Sequence, residues 1–278
     1  MPDTYVIDYR GIQDIKDNIS LYFSMLIDHS VICFRGGELS VPDQVEIATI
    51  FGDHSGWFPN SKDLEDSKSK YRFQSNHFYR ENHERTITPK VTKNDFLITW
   101  HLEHNWRKTP TVAGIWNMQT FTCGEENGKT LFVDTGVIFK MLQKEDQDFL
   151  KKCKSYMYTE TDVKTIDCVK KHWYTGDEIL NMDLYVDHSR DYLVECDGKA
   201  PSEDKINRFR KIQNFVMDQV LNNRSIRIVH KWNQGDLLIP DLHKLAHTVT
   251  GGFSPEERFF EEMWATSQKY DDYDIMEL

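Results

Sequence analysis

The sequence has 278 residues, of which 39% are hydrophobic and 13% aromatic, enough to bury a substantial core in one or two domains and too many for a largely disordered chain. Its formal net charge of -11 argues against nucleic acid as the main partner, because binding a phosphate backbone needs a basic face. The N-terminus has no basic segment followed by an apolar run, and no window approaches a membrane span, so we expect a cytoplasmic protein that acts on a small molecule.

The cysteine pattern favours free thiols. The five cysteines, an odd number, include no CxxC pair and are Cys33, Cys123, Cys153, Cys168 and Cys196. A disulfide framework or a zinc cluster would show paired spacing, so we expect reduced thiols.

The first part of the chain has a helix, strand, helix pattern. Apolar residues recur with helical spacing and predict an amphipathic helix over residues 12–28. A short β-prone run at 31–34 predicts a strand. Ser40 and Gly52 then bracket a second predicted helix.

The middle of the chain predicts long loops followed by strands. Residues 58–95 are polar with few periodic signals, which is typical of loops around a site. From residue 96 the character changes. β-branched and aromatic runs at 96–103, 111–119 and 130–134 are separated by turn-like segments and predict successive strands of one sheet.

The last part combines helices and strands. We interpret residues 135–222 as a helical insert, which includes an amphipathic helix that stops near Asn222. Strand patterns resume at 225–230 and 235–240. Because no repeat or linker divides the chain, residues 1–278 are predicted to form a single domain, mainly β with flanking helices around a two-sheet jelly-roll (double-stranded β-helix) core.

Three side chains predict a metal site. Residues two apart in a strand point to the same face, so His101 and Glu103 can bind one metal ion. His247, from a distant strand, would complete a set of two histidines and one carboxylate with adjacent positions open, as is typical of oxygen-activating Fe(II). A His-x-Glu pair alone is common by chance in a chain with 11 histidines, so its surroundings have to support it.

Four segments give that support through their order and spacing. They are HSVICFRGGELSVPDQVEIATIFG (29–52), WHLEHNW (100–106), GKTLFVD (128–134) and GDLLIPDLHKLAHTVTGGFSPEERFF (235–260). In turn they resemble an opening strand, turn and helix, a Trp-His-x-Asp segment, a Gly-x-Thr-Leu stretch, and a distal histidine with a trailing arginine. Together these segments resemble the TauD/TfdA family of dioxygenases, which depend on Fe(II) and 2-oxoglutarate.

The resemblance implies an oxidoreductase in which His101, Glu103 and His247 are the catalytic Fe(II) ligands and 2-oxoglutarate and O2 are co-substrates. It also implies that Arg258, eleven residues after His247, binds the distal carboxylate of 2-oxoglutarate with help from Thr130. A surface ion pair of Arg258 with a neighbouring glutamate is the alternative. The expected reaction is hydroxylation, desaturation or epoxidation of a small amino-acid-derived or specialised metabolite, and the sequence leaves a homo-oligomer open.

Two positions depart from the family pattern. Glu103 stands where most members have aspartate, but charge and ligand type are kept, so we expect metal binding to survive. Glu262 stands where sulfonate-binding members carry an additional arginine, so taurine and similar sulfonates are not expected substrates. We interpret Glu262 as a solvated carboxylate beside Glu261, with contact to a substrate amine as the alternative.

Two other functions remain open from the sequence. A zinc-dependent hydrolase is suggested by the i,i+4 spacing of His243 and His247, but the β-branched, glycine-ended run at 248–252 disfavours the helix which that spacing needs. His104 would share a face with His101 only in a helix. A non-catalytic module that binds a small molecule on a jelly roll is the other alternative, because fold does not determine function.

Overall fold

Strands predominate in the computed structural model of this chain, and two facing sheets form its centre. The structure describes residues 4–37, 39–55, 57–59, 73–74, 100–103, 105, 111–158, 163–182, 184, 192–253 and 257–267. The predicted loops at 58–95 and the first residues of the predicted strand at 96–103 therefore lie mostly outside the described residues, as does His104.

The chain opens with helices on either side of a strand. The elements are β1 (Tyr5–Asp8), α1 (Ile12–Asp17), α2 (Ile19–His29), β2 (Val31–Arg35) and α3 (Val41–Ser55). The single helix predicted over 12–28 is thus two helices. Asn18 divides them, because its backbone leaves helical geometry (φ -114°, ψ 18°) while its side-chain amide donates to the carbonyl and the carboxylate of Asp14. α3 continues past Gly52, the residue predicted to end it.

Short strands and three helices follow. They are β3 (Trp57–Pro59), β4 (Phe73–Gln74), β5 (His101–Leu102), β6 (Thr111–Phe121), β7 (Thr130–Asp134), α4 (Thr135–Met141), α5 (Lys144–Leu150), β8 (Cys153–Tyr158), β9 (Val163–Asp167), β10 (Val169–Lys171), β11 (Glu178–Leu180), β12 (Leu193–Cys196) and α6 (Glu203–Asn222). The segment at 135–222, interpreted as a helical insert, therefore also contains two small antiparallel sheets, β12-β8-β9 and β10-β11.

The C-terminal part supplies the remaining strands of the centre. A 3-10 turn, Arg224–Ile226, leads to β13 (Arg227–His230), β14 (Leu237–Pro240), β15 (Leu245–Val249) and β16 (Arg258–Ser267). The large sheet has the order β1-β2-β14-β6-β16-β3, with β4 also paired to β16, and the small sheet has the order β13-β7-β15-β5. The prediction that the strands at 96–103, 111–119 and 130–134 belong to one sheet is therefore wrong, because β6 lies in the large sheet and β5 and β7 lie in the small one. Neighbouring strands with distant sequence positions are typical of the predicted jelly roll. Among the described strands the two sheets do not close into a barrel.

The fold has four layers, two facing sheets and the helices that cover the outer face of each sheet, and the alternation of side chains along the strands shows this. In β2, Val31 and Cys33 pack between the two sheets, whereas Ile32 and Phe34 pack on the outer face among the side chains of α2 and α3. The small sheet alternates in the same way, since Phe132 of β7 faces inward while Leu131 packs outward with α6. Each sheet thus has one face covered by helices, and the space between the sheets holds the functional side chains.

None of the five cysteines forms a disulfide bond in this structure. Of the helices in the described ranges, none combines the length and the apolar character that crossing a membrane requires.

A buried ion pair joins the last residue of β2 to the turn before β14. Arg35 donates from Nε and Nη2 to the two carboxylate oxygens of Asp236, both at 2.9 Å, and the Asp236 side chain is fully buried. Burial raises the pKa of Asp236, but hydrogen bonds from Arg35 and His230 outweigh this effect and hold it at about 2. The ionised pair therefore stabilises the fold at neutral pH.

We expect Asp236→Asn to lower the free energy of unfolding by about 3 kcal/mol, since it leaves one partner of a buried pair without its counter-charge. Because the folded pKa lies below the ordinary value of 3.8, the stabilisation is present above that pH and is lost as the pH falls towards 2. Urea unfolding of both proteins at pH 7 and pH 3 measures this. The exposed Asp218→Asn is the control, and an equal effect of both variants would contradict the prediction.

Candidate metal centre

His101 and His247 are direct neighbours across two antiparallel strands. His101 begins β5 and His247 is the central residue of β15, and the register pairs them with each other. Directly opposite residues of an antiparallel pair point to the same face, so both imidazoles project into the space between the sheets. Their ring centroids lie 4.2 Å apart. The sheet itself therefore fixes two of the three predicted ligands.

Glu103 completes the cluster from the turn after β5. Its Oε2 atom lies 3.7 Å from Nε2 of His101 and 3.7 Å from Nε2 of His247, too far for a hydrogen bond. The three ligand atoms all lie within 4.8 Å of one another. Two imidazole nitrogens and one carboxylate oxygen that converge in this way fit a divalent metal such as Fe(II), with positions left for other ligands.

His243 does not belong to this cluster. It precedes β15 in a turn, where its Nδ1 accepts a hydrogen bond from the backbone N–H of Trp173 at 3.3 Å and its ring lies 5.5 Å from that of His172. The prediction that His243 and His247 do not share a helix is confirmed, since β15 begins at Leu245. The zinc-hydrolase alternative therefore loses the helix on which it was based.

Arg258 and Thr130 meet between the two sheets. Arg258 begins β16 and is 5% exposed, while Thr130 begins β7 of the small sheet. Arg258 Nη2 donates to Thr130 Oγ1 at 3.3 Å, and Arg258 Nε donates to the carbonyl of Gly128 at 3.1 Å. Trp232 Nε1 also donates to Thr130 Oγ1, at 2.9 Å. Arg258 is thus a buried, oriented side chain, and the alternative of a surface ion pair is wrong.

The guanidinium of Arg258 lies among aromatic rings and keeps its positive charge. Its guanidinium carbon lies 4.8, 5.5 and 5.8 Å from the ring centroids of Phe260, Phe253 and Trp232, distances at which a cation is attracted to a ring. Burial lowers the pKa of Arg258 to about 10, so the group remains protonated at neutral pH. No carboxylate in the described ranges lies within ion-pairing distance of it. A carboxylate from a bound molecule would provide that counter-charge.

The environment of Glu262 differs from the one expected from the sequence. Glu262 was expected to be solvated, but it is 8% exposed, because it lies on the face of β16 that points between the sheets. Phe260 and Trp264, two residues to either side, pack on the same face against Trp116. Burial raises the pKa of Glu262 well above its ordinary value, and the charge of Glu103 raises it further. Sequence neighbours could not reveal this burial, since it depends on which face of β16 is covered.

Gly114 leaves the room that Trp116 needs beside Glu262. A Cβ atom at Gly114 would lie 2.6 Å from Trp116 Nε1 and 3.0 Å from Leu242 Cδ1. We therefore expect Gly114→Ala to displace the indole and to destabilise the fold by about 1–3 kcal/mol, the usual cost of overpacking. Thermal unfolding with Gly124→Ala as control measures this, because a Cβ at Gly124 meets no atom closer than 3.5 Å. Equal melting temperatures of the two variants would show that the indole is free to move.

A protein-family model described as "Taurine catabolism dioxygenase TauD, TfdA family" matches residues 7–266 of the chain. This match covers both strands of the histidine pair as well as Arg258 and Glu262. No curated protein has significant sequence similarity to the chain.

Several solved structures share the fold. A taurine dioxygenase from Burkholderia xenovorans has a TM-score of 0.63 at 14% identity, over 95% of this chain and 88% of that one. AAD-2, solved in complex with Mn(II) and N-oxalylglycine, has a TM-score of 0.60 at 13% identity, over 96% of each chain. PvcB, an Fe, alpha-ketoglutarate dependent oxygenase from an isonitrile synthetic pathway, has a TM-score of 0.59 at 12% identity, over 89% of this chain and 81% of that one.

Proposed function

Because the chain belongs to the taurine catabolism dioxygenase TauD, TfdA family, we propose that His101, Glu103 and His247 bind the iron with which it acts. The protein is an oxidoreductase that depends on Fe(II) and uses 2-oxoglutarate and O2 as co-substrates. The observation that carries the proposal is the convergence of the three ligand atoms within 4.8 Å, between two facing sheets.

Arg258 and Thr130 bind the distal carboxylate of 2-oxoglutarate in this proposal. Arg258 is buried and charged, and Gly128 and Thr130 accept its Nε and Nη2 hydrogens, which fixes the plane of the guanidinium. A planar guanidinium can hold a carboxylate with two parallel hydrogen bonds. The burial of Arg258 excludes water from these bonds and strengthens them.

The protein's own residues set the position of both co-substrate and substrate. When bound, Fe(II) with 2-oxoglutarate and O2 supplies the oxidation of an unactivated C–H bond, coupled to the decarboxylation of 2-oxoglutarate to succinate and CO2. Arg258 orients 2-oxoglutarate by its far end, while the two histidines and Glu103 orient its near end through the metal. Trp116, whose ring lies 5.3 Å from that of His247, limits the space for water at the centre.

We propose a small amino-acid-derived or specialised metabolite as the substrate, with hydroxylation, desaturation or epoxidation as the outcome. The acidic net charge of -11 favours a small molecule over a polyanion. The similarity to PvcB, an oxygenase from an isonitrile synthetic pathway, supports a specialised metabolite. Glu262 stands where sulfonate-binding members carry an additional arginine, so this position lacks the positive charge that would hold taurine or another sulfonate.

Anaerobic titration of the metal-free protein with Fe(II) and then 2-oxoglutarate tests the proposal. We expect the visible metal-to-ligand charge-transfer band of an iron(II) site that chelates a 2-oxo acid, saturating at one equivalent of each and absent in His101→Ala. His29→Ala, at an exposed histidine that ends α2, serves as the control. Stoichiometric zinc binding with hydrolysis in the absence of O2, or binding of a small molecule without any turnover, would replace the proposal by one of the two alternatives.

A further inference from the structure

Glu262 lies beside the proposed metal centre without a cation of its own. Its register partner on β6 is Trp116, and directly opposite residues share a face, so the Glu262 carboxylate projects between the sheets next to the Trp116 ring. That ring lies 5.3 Å from the ring of His247. Within the described part of the chain, no lysine, arginine or histidine lies within ion-pairing distance of Glu262.

In the proposed function, the other charged side chains near Glu262 already bind a ligand. Glu103 binds the metal, and Arg258 holds the distal carboxylate of 2-oxoglutarate. Glu262 is then a second buried carboxylate with 8% exposure and no counter-charge. An unpaired buried carboxylate is costly, and a bound cation would remove that cost.

We propose that Glu262 is a substrate-binding residue that pairs with a protonated amine of the substrate. This inference rests on the proposed function, since it takes the space beside His247 as the substrate site. The substrate class is therefore a small organic ammonium compound. Its amine is held by Glu262 on the large sheet, and the carbon to be oxidised faces the histidines of the small sheet. A substrate with an anionic group at this position would find no positively charged partner there and is not expected.

Binding measurements on an inert complex test the inference. The protein is loaded with Mn(II) and N-oxalylglycine in place of iron and 2-oxoglutarate, and their stoichiometric binding is measured first. Calorimetric titration then compares alkylamines from ethylamine to octylamine, L-ornithine and L-lysine with the alcohol of the same length and with taurine. We expect one or more amines to bind at least about tenfold more tightly than the matched alcohol, the effect of one charge-assisted hydrogen bond.

Two glutamates on the same strand give a matched pair of variants. Glu262→Gln keeps the shape and removes the charge, and it is expected to abolish the preference for amines while it still binds Mn(II) and N-oxalylglycine. Glu261→Gln makes the same change at a residue that is also 8% exposed but lies on the opposite face of β16, and it should keep the preference. Should Glu262→Gln fail to fold, Glu262→Asp retracts the charge and is expected to weaken amine binding.

The outcomes separate the two proposals. If Mn(II) and N-oxalylglycine do not bind the wild-type protein, the proposed function fails and the inference fails with it. If they bind but no amine is preferred over its alcohol, only the inference is overturned. A preference for amines that survives in Glu262→Gln, or amine affinity unchanged in Glu262→Asp, would also overturn it.

Discussion

Replacing His247 with alanine is expected to abolish Fe(II) binding and the turnover of 2-oxoglutarate. His247 is the only proposed ligand that comes from the centre of a strand paired on both sides, by β5 and β7, so no neighbouring side chain can move into its place. Loss of a residue that merely supports a metal ligand already costs about 10- to 100-fold in affinity. Loss of the ligand itself should therefore exceed about 100-fold. Metal content after anaerobic loading and 14C-labelled CO2 release from 2-oxoglutarate measure both effects.

Two controls distinguish loss of the metal from loss of the fold. His247 is 6% exposed, so its truncation also removes packing against Trp116 and Phe132. His247→Gln fills most of that space without the imidazole, and it should melt near the wild-type temperature while it fails to bind iron. If His247→Gln or His247→Ala holds one equivalent of Fe(II) and releases CO2 at the wild-type rate, His247 is not a ligand.

The bounds of a strand were predictable where β-branched and aromatic residues form an uninterrupted run. β7 has the predicted bounds of 130–134, and β6 extends the predicted strand at 111–119 by only two residues, because β-branched and aromatic side chains fill both faces. The convergence of His101 and Glu103 was predicted from the alternation of side chains in a strand. The two side chains do meet, but β5 ends at Leu102 and Glu103 reaches the cluster from the turn that follows, so strand alternation is not what places it there.

Features that leave no trace in the hydropathy pattern were not predictable, whether they depend on a local side-chain contact or on contacts between distant residues. The division of the first helix at Asn18 depends on hydrogen bonds that one side chain makes to Asp14, in competition with the helix itself. The strands within 135–222 are short and form two small sheets whose pairing no local period encodes. No local pattern indicated a role for Trp232, which lies 102 positions from the Thr130 hydroxyl that accepts its indole hydrogen.

Glu262 shows why burial is harder to predict than ligand type. Glu261 and Glu262 are adjacent in sequence, and a pair of neighbouring glutamates is usually solvated. On β16 both are 8% exposed, since the inner face of the strand packs on the other sheet and its outer face packs below α3, where Gln44 donates to the Glu261 carbonyl at 3.1 Å. A strand covered on both faces buries each charge in a different environment. The electrostatic consequence is visible only once both layers are known.

Replacing Arg258 with alanine is expected to raise the KM for 2-oxoglutarate by about 100-fold or more, with Fe(II) binding unchanged. Hydrogen bonds to a charged group contribute about 1.5–3 kcal/mol each, and the guanidinium offers two to the distal carboxylate. Since this contact is the same in the ground state and the transition state, kcat at saturating 2-oxoglutarate should fall far less than kcat/KM. Initial rates of succinate formation at varied 2-oxoglutarate, with the half-exposed Arg208→Ala as control, measure this split.

The variant Arg258→Lys distinguishes the effect of the positive charge from the effect of the planar guanidinium. The lysine keeps a positive charge but offers a point donor instead of two parallel N–H groups, so we expect a KM between those of the wild type and Arg258→Ala. The pKa of about 10 for Arg258 adds a second signature, because 2-oxoglutarate affinity should be constant near neutral pH and fall as the pH rises through 10. If Arg258→Ala leaves KM unchanged, the buried guanidinium only connects the two sheets through Thr130, and the distal carboxylate of 2-oxoglutarate has to be bound by another residue.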